Sequence, residues 1–209
     1  MAENSREPAQ TSPVDSADAA WVSLPAPFPP DVLNQYCRDI EALFRVNPYF
    51  FFDEWRQTGP DAFHAEFENQ SSQTRQMLDL RVTQGPGRGM TVTYNGGIKK
   101  RTVFTIEPTP EGSRMIITDD YDLLPAAERE RRQSEVDKSL KAWAESLRLY
   151  FLRLKRWSWL PGWRWYLRRV WIPMKPSARR IVWLIYLITV AEFFFFLFVL
   201  LIYLIEQKN

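Results

Sequence analysis

The rhythm of apolar positions changes several times along this chain of 209 residues, and each change predicts an element. Residues 1–20 are mostly Ala, Ser, Pro, Asp and Glu with almost no large apolar side chain. Such a composition cannot bury enough surface to offset ordering entropy, so it predicts a disordered tail. Trp21 to Phe28 is short and held extended by its prolines, which predicts one edge strand. Pro29-Pro30-Asp31 suits a helix start. Val32, Leu33, Tyr36, Cys37, Ile40, Leu43 and Phe44 follow at helical spacing, predicting one amphipathic helix to about Val46 that ends at Asn47-Pro48. Tyr49 to Trp55 is aromatic and β-prone.

Alternation with period two then takes over. Phe63, Ala65 and Phe67 alternate with His64, Glu66 and Glu68, and Leu78, Leu80 and Val82 alternate with Asp79 and Arg81. Met90, Val92 and Tyr94 alternate with two threonines, and Thr102, Phe104 and Ile106 face away from Arg101, Thr105 and Glu107. Met115 to Tyr121 is a fifth run. Turn residues separate the runs at Gly85–Gly89, Asn95-Gly96-Gly97 and Pro108–Gly112. Short connections join antiparallel neighbours, so the pattern predicts a meander with one apolar face.

From Ala126 to about Arg156 the period returns to that of a helix. Val136, Leu140, Trp143, Leu147, Phe151 and Leu154 form one stripe suited to lying across the apolar face of the sheet. Ile181 to Ile205 breaks the pattern altogether: 25 residues with a single charge, Glu192, and no Pro or Gly. At about 1.5 Å per residue such a helix is roughly 37 Å long, enough to cross a ~30 Å hydrocarbon core with some tilt. It predicts a transmembrane helix followed only by residues 206–209, hence a single-pass protein anchored at its C-terminus.

Charge sharpens this division. The net charge of +2 conceals an excess of acid over residues 1–145, with 16 Lys+Arg against 23 Asp+Glu, and 10 basic residues with no acid over 146–180. A basic block beside a span orients it with the large N-terminal part in the cytoplasm. It also attracts anionic head groups. Nucleic acid is the competing partner for such a block, and the acidic domain beside it argues against phosphate. One cysteine, Cys37, excludes an intrachain disulfide and fits a reducing compartment. The opening MAENSREPAQTSP holds no apolar run, which predicts no signal peptide.

Between helix and span, residues 157–180 form a stem. Trp157, Trp159, Trp163, Trp165 and Trp171 are interleaved with or followed by Arg164, Arg168, Arg169, Lys175, Arg179 and Arg180. Tryptophan and arginine both favour the head-group layer, so the stem is predicted to lie on the cytoplasmic leaflet. The alternative is an extra core layer packed on the soluble domain. Glu192 falls near mid-membrane, where a charge is costly. It is either a contact with a partner subunit or a second copy, or a protonated carboxyl tolerated by a very apolar helix.

The order of elements resembles that of the START-like, helix-grip superfamily, which includes polyketide cyclase-like and lipid-transport proteins. The resemblance spans roughly residues 20–156. Pro30-Asp31-Val32 opening the first helix, Asn47-Pro48 closing it, the hairpin Phe104–Gly112 and the helix Ser139–Leu154 carry it. It implies an α+β fold in which an antiparallel sheet wraps a long C-terminal helix around a cavity for a hydrophobic ligand. Mapped onto this chain, the implied wall is Phe63, Phe67, Leu78, Leu80, Met90, Val92, Tyr94, Phe104, Ile106 and Tyr121, with Trp143 and Leu147 from the helix. The plainer reading is that these residues simply fill a core.

Sites for covalent chemistry are harder to find. His64 is the only histidine and stands on a polar strand face, so neither an N/S metal set nor a Cys–His or Ser–His–Asp arrangement can be argued. The glycines at 85–89 lack the Lys-Ser/Thr of a phosphate loop. Asp119, Asp120 and Asp122 read as a strand end before a solvated loop. The sequence thus calls for no cofactor. It predicts a binder of a hydrophobic small molecule at the membrane, with an accessory membrane subunit as the second reading and a cyclase-type enzyme as the third. The enzyme reading requires polar groups converging inside the cavity, around Tyr94, Asp119 and Tyr121.

Overall fold

A computed structural model of the chain describes residues 19–85, 87–97, 99–121 and 139–207. The element order is β1 (Ala19–Ala26), α1 (Pro30–Cys37), α2 (Ile40–Arg45), β2 (Phe50–Gly59), β3 (Ala62–Asn69), β4 (Thr74–Gln84), β5 (Gly89–Asn95), β6 (Arg101–Thr109), β7 (Gly112–Asp120), α3 (Leu140–Arg156), α4 (Trp163–Tyr166), a π-helical turn (Leu167–Trp171) and α5 (Pro176–Glu206). The chain divides into two compact units, Met1–Arg164 and Trp165–Asn209.

In the first unit the seven strands form one sheet in the order β1-β7-β6-β5-β4-β3-β2, with every pair antiparallel. The predicted meander is β2 to β7. The predicted edge strand β1 returns from the start of the chain to pair with β7, placing Trp21 opposite Thr118. Period-two alternation puts Leu78, Leu80 and Val82 of β4, Met90, Val92 and Tyr94 of β5, and Thr102, Phe104 and Ile106 of β6 in the interior. Register shifts in β2 at Phe52/Glu54 and Gln57/Gly59 bend that edge strand.

Helix α3 lies on this apolar face. Leu140, Trp143, Leu147, Phe151 and Leu154 are all buried, as their spacing requires. Trp143 is its anchor. The indole meets Phe44, Phe50 and Phe104 with ring centroids 5.2, 6.4 and 5.7 Å away, and Nε1 donates to the Leu43 carbonyl at 2.8 Å. The start of the long helix expected from Ala126, with Val136, lies outside the described residues, as do residues 1–18 of the expected tail.

Three boundaries differ from the sequence reading. β1 begins at Ala19, inside the expected tail, because it gains a full ladder with β7. The single helix expected to reach Val46 is two helices, because Asp39 leaves helical geometry at ψ 79° and its carboxylate accepts from the Ala42 N–H at 3.3 Å. A capping aspartate therefore restarts the helix just after α1 ends. The apolar helix begins at Pro176, five residues before the apolar run, since Pro at the first turn is pre-set for helix. Among the described residues α5 is the one helix long and apolar enough to cross a membrane.

Candidate functional site

Eleven of the twelve residues predicted for the cavity wall are buried: Phe67, Leu78, Leu80, Met90, Val92, Tyr94, Phe104, Ile106, Tyr121, Trp143 and Leu147. Phe63 is half-buried, with its ring 5.7 Å from Trp55 near the β2–β3 end of the sheet. Aromatic packing continues along that edge, where Phe67 meets Phe50 at 4.7 Å and Phe52 at 5.0 Å. The interior is thus aromatic beside β2 and β3 and more aliphatic towards β7, where Met115 and Ile117 are fully buried.

One polar chain interrupts this face. On β7 the alternation that buries Met115 and Ile117 also turns Asp119 inward, opposite Thr102 of β6. Thr102 Oγ1 donates to Asp119 Oδ1 at 2.5 Å, and Lys99 Nζ donates to Asp119 Oδ2 at 2.8 Å. With its proton on the carboxylate, Thr102 Oγ1 accepts from the Tyr94 hydroxyl at 2.7 Å. The donors therefore run in one direction, from Tyr94 to Thr102 to Asp119. Asp119 is 0% exposed and the Lys99 side chain 13%, so a charged pair is held within the domain and both carboxylate oxygens are engaged. Burial without such partners would be prohibitive.

The sequence pointed to Tyr94, Asp119 and Tyr121 but missed Thr102 and Lys99. The available signal was register: a threonine on an apolar face opposite an aspartate on the next strand. On the other face Arg101 Nε donates to Asp120 Oδ2 at 2.9 Å. Asp122 lies outside the described residues, and no metal-holding group of His, Cys, Asp and Glu occurs among the described ones. His64 is on the outer face as expected. Its Nδ1 lies 2.7 Å from Asp79 Oδ1, and that bond, with Glu66 beside it, raises the imidazole above its ordinary value. Burial pushes the Cys37 thiol up to about 12.

The stem splits between the two units. In the first, Trp157 stacks on Trp159 at 6.4 Å and meets Trp163 at 5.8 Å. Arg164, expected at lipid phosphate, donates to the Tyr36 hydroxyl and lies 5.4 Å from the centre of that ring. Arg164 is therefore held against α1, while Trp157 and Trp159 remain exposed. In the second unit, Trp165, Arg168, Arg169, Lys175 and Arg180 are exposed. Arg179 stacks on Trp171 at 4.2 Å and donates to the carbonyls of Trp171 and Ile172, satisfying groups at the end of the π-helical turn. Glu192 lies on the exposed surface of α5.

No protein-family model and no curated protein matches this sequence. Solved structures do. The crystal structure of TTHA0849 from Thermus thermophilus aligns with a TM-score of 0.50 at 13% identity, over 65% of this chain and 98% of that one. A START superfamily protein from Mycobacterium smegmatis aligns at 0.49 and 13% identity, again over 65% of this chain and 98% of its own. The chain has a helix-grip α+β fold, a seven-stranded antiparallel sheet closed by a long helix. In it α1 and α2 lie between the first two strands, the seven strands are the grip, and α3 is the helix held. At such identities the likeness is one of fold alone.

Proposed function

We propose that this is a single-pass, C-terminally anchored membrane protein whose START-like domain binds or transfers a hydrophobic ligand at the cytoplasmic membrane surface. The ligand class is a lipid, isoprenoid, quinone or polyketide-like molecule. The observation that carries the reading is a helix-grip domain with an apolar inner face joined, in one chain, to an apolar 31-residue helix. Support for the span comes from its aromatic ends. Trp183 and Tyr203 are 20 positions apart on the helix, roughly 30 Å, a spacing that matches the thickness of a hydrocarbon layer with amphipathic rings at its two edges. Glu192 then falls close to the midplane. The acid-free basic run from 146 to 180 supports cytoplasmic placement of the domain and contact with anionic lipid.

Native mass spectrometry of the full-length protein, gently extracted from its own membrane, tests this. The expected result is a stoichiometric apolar molecule retained by the protein and identified by parallel lipid extraction. An empty protein overturns the reading.

A second reading is an accessory subunit of a membrane complex. It is favoured by the close aromatic packing around Trp143, which fills that end of the interior, and by the carboxyl of Glu192 within the span. Loss of co-purifying proteins in Glu192→Leu would support it, and unchanged association would remove it.

A further inference from the structure

The outer face of α3 carries a feature that the grip does not explain. Leu149, Leu152 and Arg156 stand at i, i+3 and i+7, on the side of the helix opposite Leu147, Phe151 and Leu154. Leu149 and Leu152 are each 40% exposed. Arg153, Lys155 and Arg156 flank them and are exposed as well. Glu145 is the last acid before the basic run, and it is taken up by Arg148 through two hydrogen bonds of 2.7 and 2.9 Å. Where the helix ends, Arg156 lies 5.9 Å from the centre of the Trp157 ring, and Trp159 follows at 72% exposure. Apolar tips set among cations, with tryptophan at one end, match the chemistry of an anionic head-group layer.

We infer that the outer face of α3, continued by Trp157 and Trp159, docks the START-like domain flat on an anionic bilayer. A second copy of the chain does not fit this face, since pairing it with itself would set cations against cations. Docking would turn α3, the element that closes the grip, towards the lipid. The inference rests on the membrane reading of α5 but on no ligand.

Single cysteines at Leu149, Leu152 and, as a control in the β6–β7 turn, Glu111 would carry an environment-sensitive fluorophore on the full-length protein. Buried Cys37 stays unlabelled. The proteins would be placed in nanodiscs of phosphatidylcholine alone or with phosphatidylserine. The inference expects a blue shift and brightening at Leu149→Cys and Leu152→Cys with phosphatidylserine, lost in high salt and in Arg153→Glu/Arg156→Glu, with no change at Glu111→Cys. Water-like emission at both leucine positions in either lipid, in protein that stays disc-bound, would overturn docking and leave the span intact. Failure of the protein to enter discs would overturn the membrane reading as well. A shift that needs added RNA, or more than one copy per disc, would assign the face to those partners instead and overturn the proposal.

Discussion

Asn47 Nδ2 donates to Ser139 Oγ at 2.8 Å, and both side chains are fully buried. Asn47 also accepts from the Tyr49 N–H through Oδ1 at 3.0 Å. One asparagine thus turns the chain from α2 into β2 and ties that turn to the start of α3. Asn47→Ala leaves buried groups unpaired and is expected to destabilise the domain by about 1–3 kcal/mol. Thermal unfolding followed by circular dichroism in detergent would check it, and a wild-type transition would refute the role.

The Asp119–Lys99 pair makes a prediction with a built-in control. Asp119→Leu removes one charge of the buried pair together with the acceptor for Thr102, and is expected to cost about 3–5 kcal/mol. Adding Lys99→Met removes the opposite charge and is expected to recover most of that loss. A double variant no more stable than the single one would mean that the polar chain, and not charge balance, holds this end of the sheet.

Gly89 has φ +142° where β5 begins, and a Cβ there would sit 2.2 Å from the Phe104 carbonyl oxygen. Gly87, two residues earlier, also has positive φ, at +116°, but would meet nothing within 4 Å. Gly89→Ala is expected to destabilise well beyond the ~1–3 kcal/mol of backbone strain alone, and Gly87→Ala by that strain only. Equal effects in denaturant unfolding would contradict the close approach of β5 and β6.

His64 reports on the outer face. As the only histidine it gives a single imidazole signal in an NMR titration. Its bond to Asp79 raises its folded value above the ordinary 6.5, so the protonated form is favoured by folding. The stabilisation is fully present below pH 6.5 and is lost as pH rises through the folded value. Asp79→Asn should move the titration to lower pH and flatten stability over that window.

Much of this architecture was legible because the fold follows alternation. Phe104 and Ile106, or Leu78 and Leu80, declare an inward face by period two, and the stripe from Leu140 to Leu154 declares the helix that covers it. The break at Asp39 was not legible, because Val32 to Phe44 keeps helical spacing across it and a local cap competed with periodicity. Lys99 was hidden for another reason. It sits in the β5–β6 connection, and its partnership with Asp119 exists only once β6 and β7 are in register. Arg164 reaches Tyr36, whose ring offers it both a π-face and a hydroxyl oxygen, a contact that no linear pattern announces.

The pairing of Trp21 with Thr118 has a kinetic consequence. The first strand of the sheet waits for the last, so the grip closes through long-range contacts and is expected to fold slowly for its size. Every strand, and α3 after them, is synthesised before α5. Translation order therefore gives the domain its entire sheet and the helix it grips before the apolar helix leaves the ribosome, so folding of the grip can run ahead of the rest of the chain.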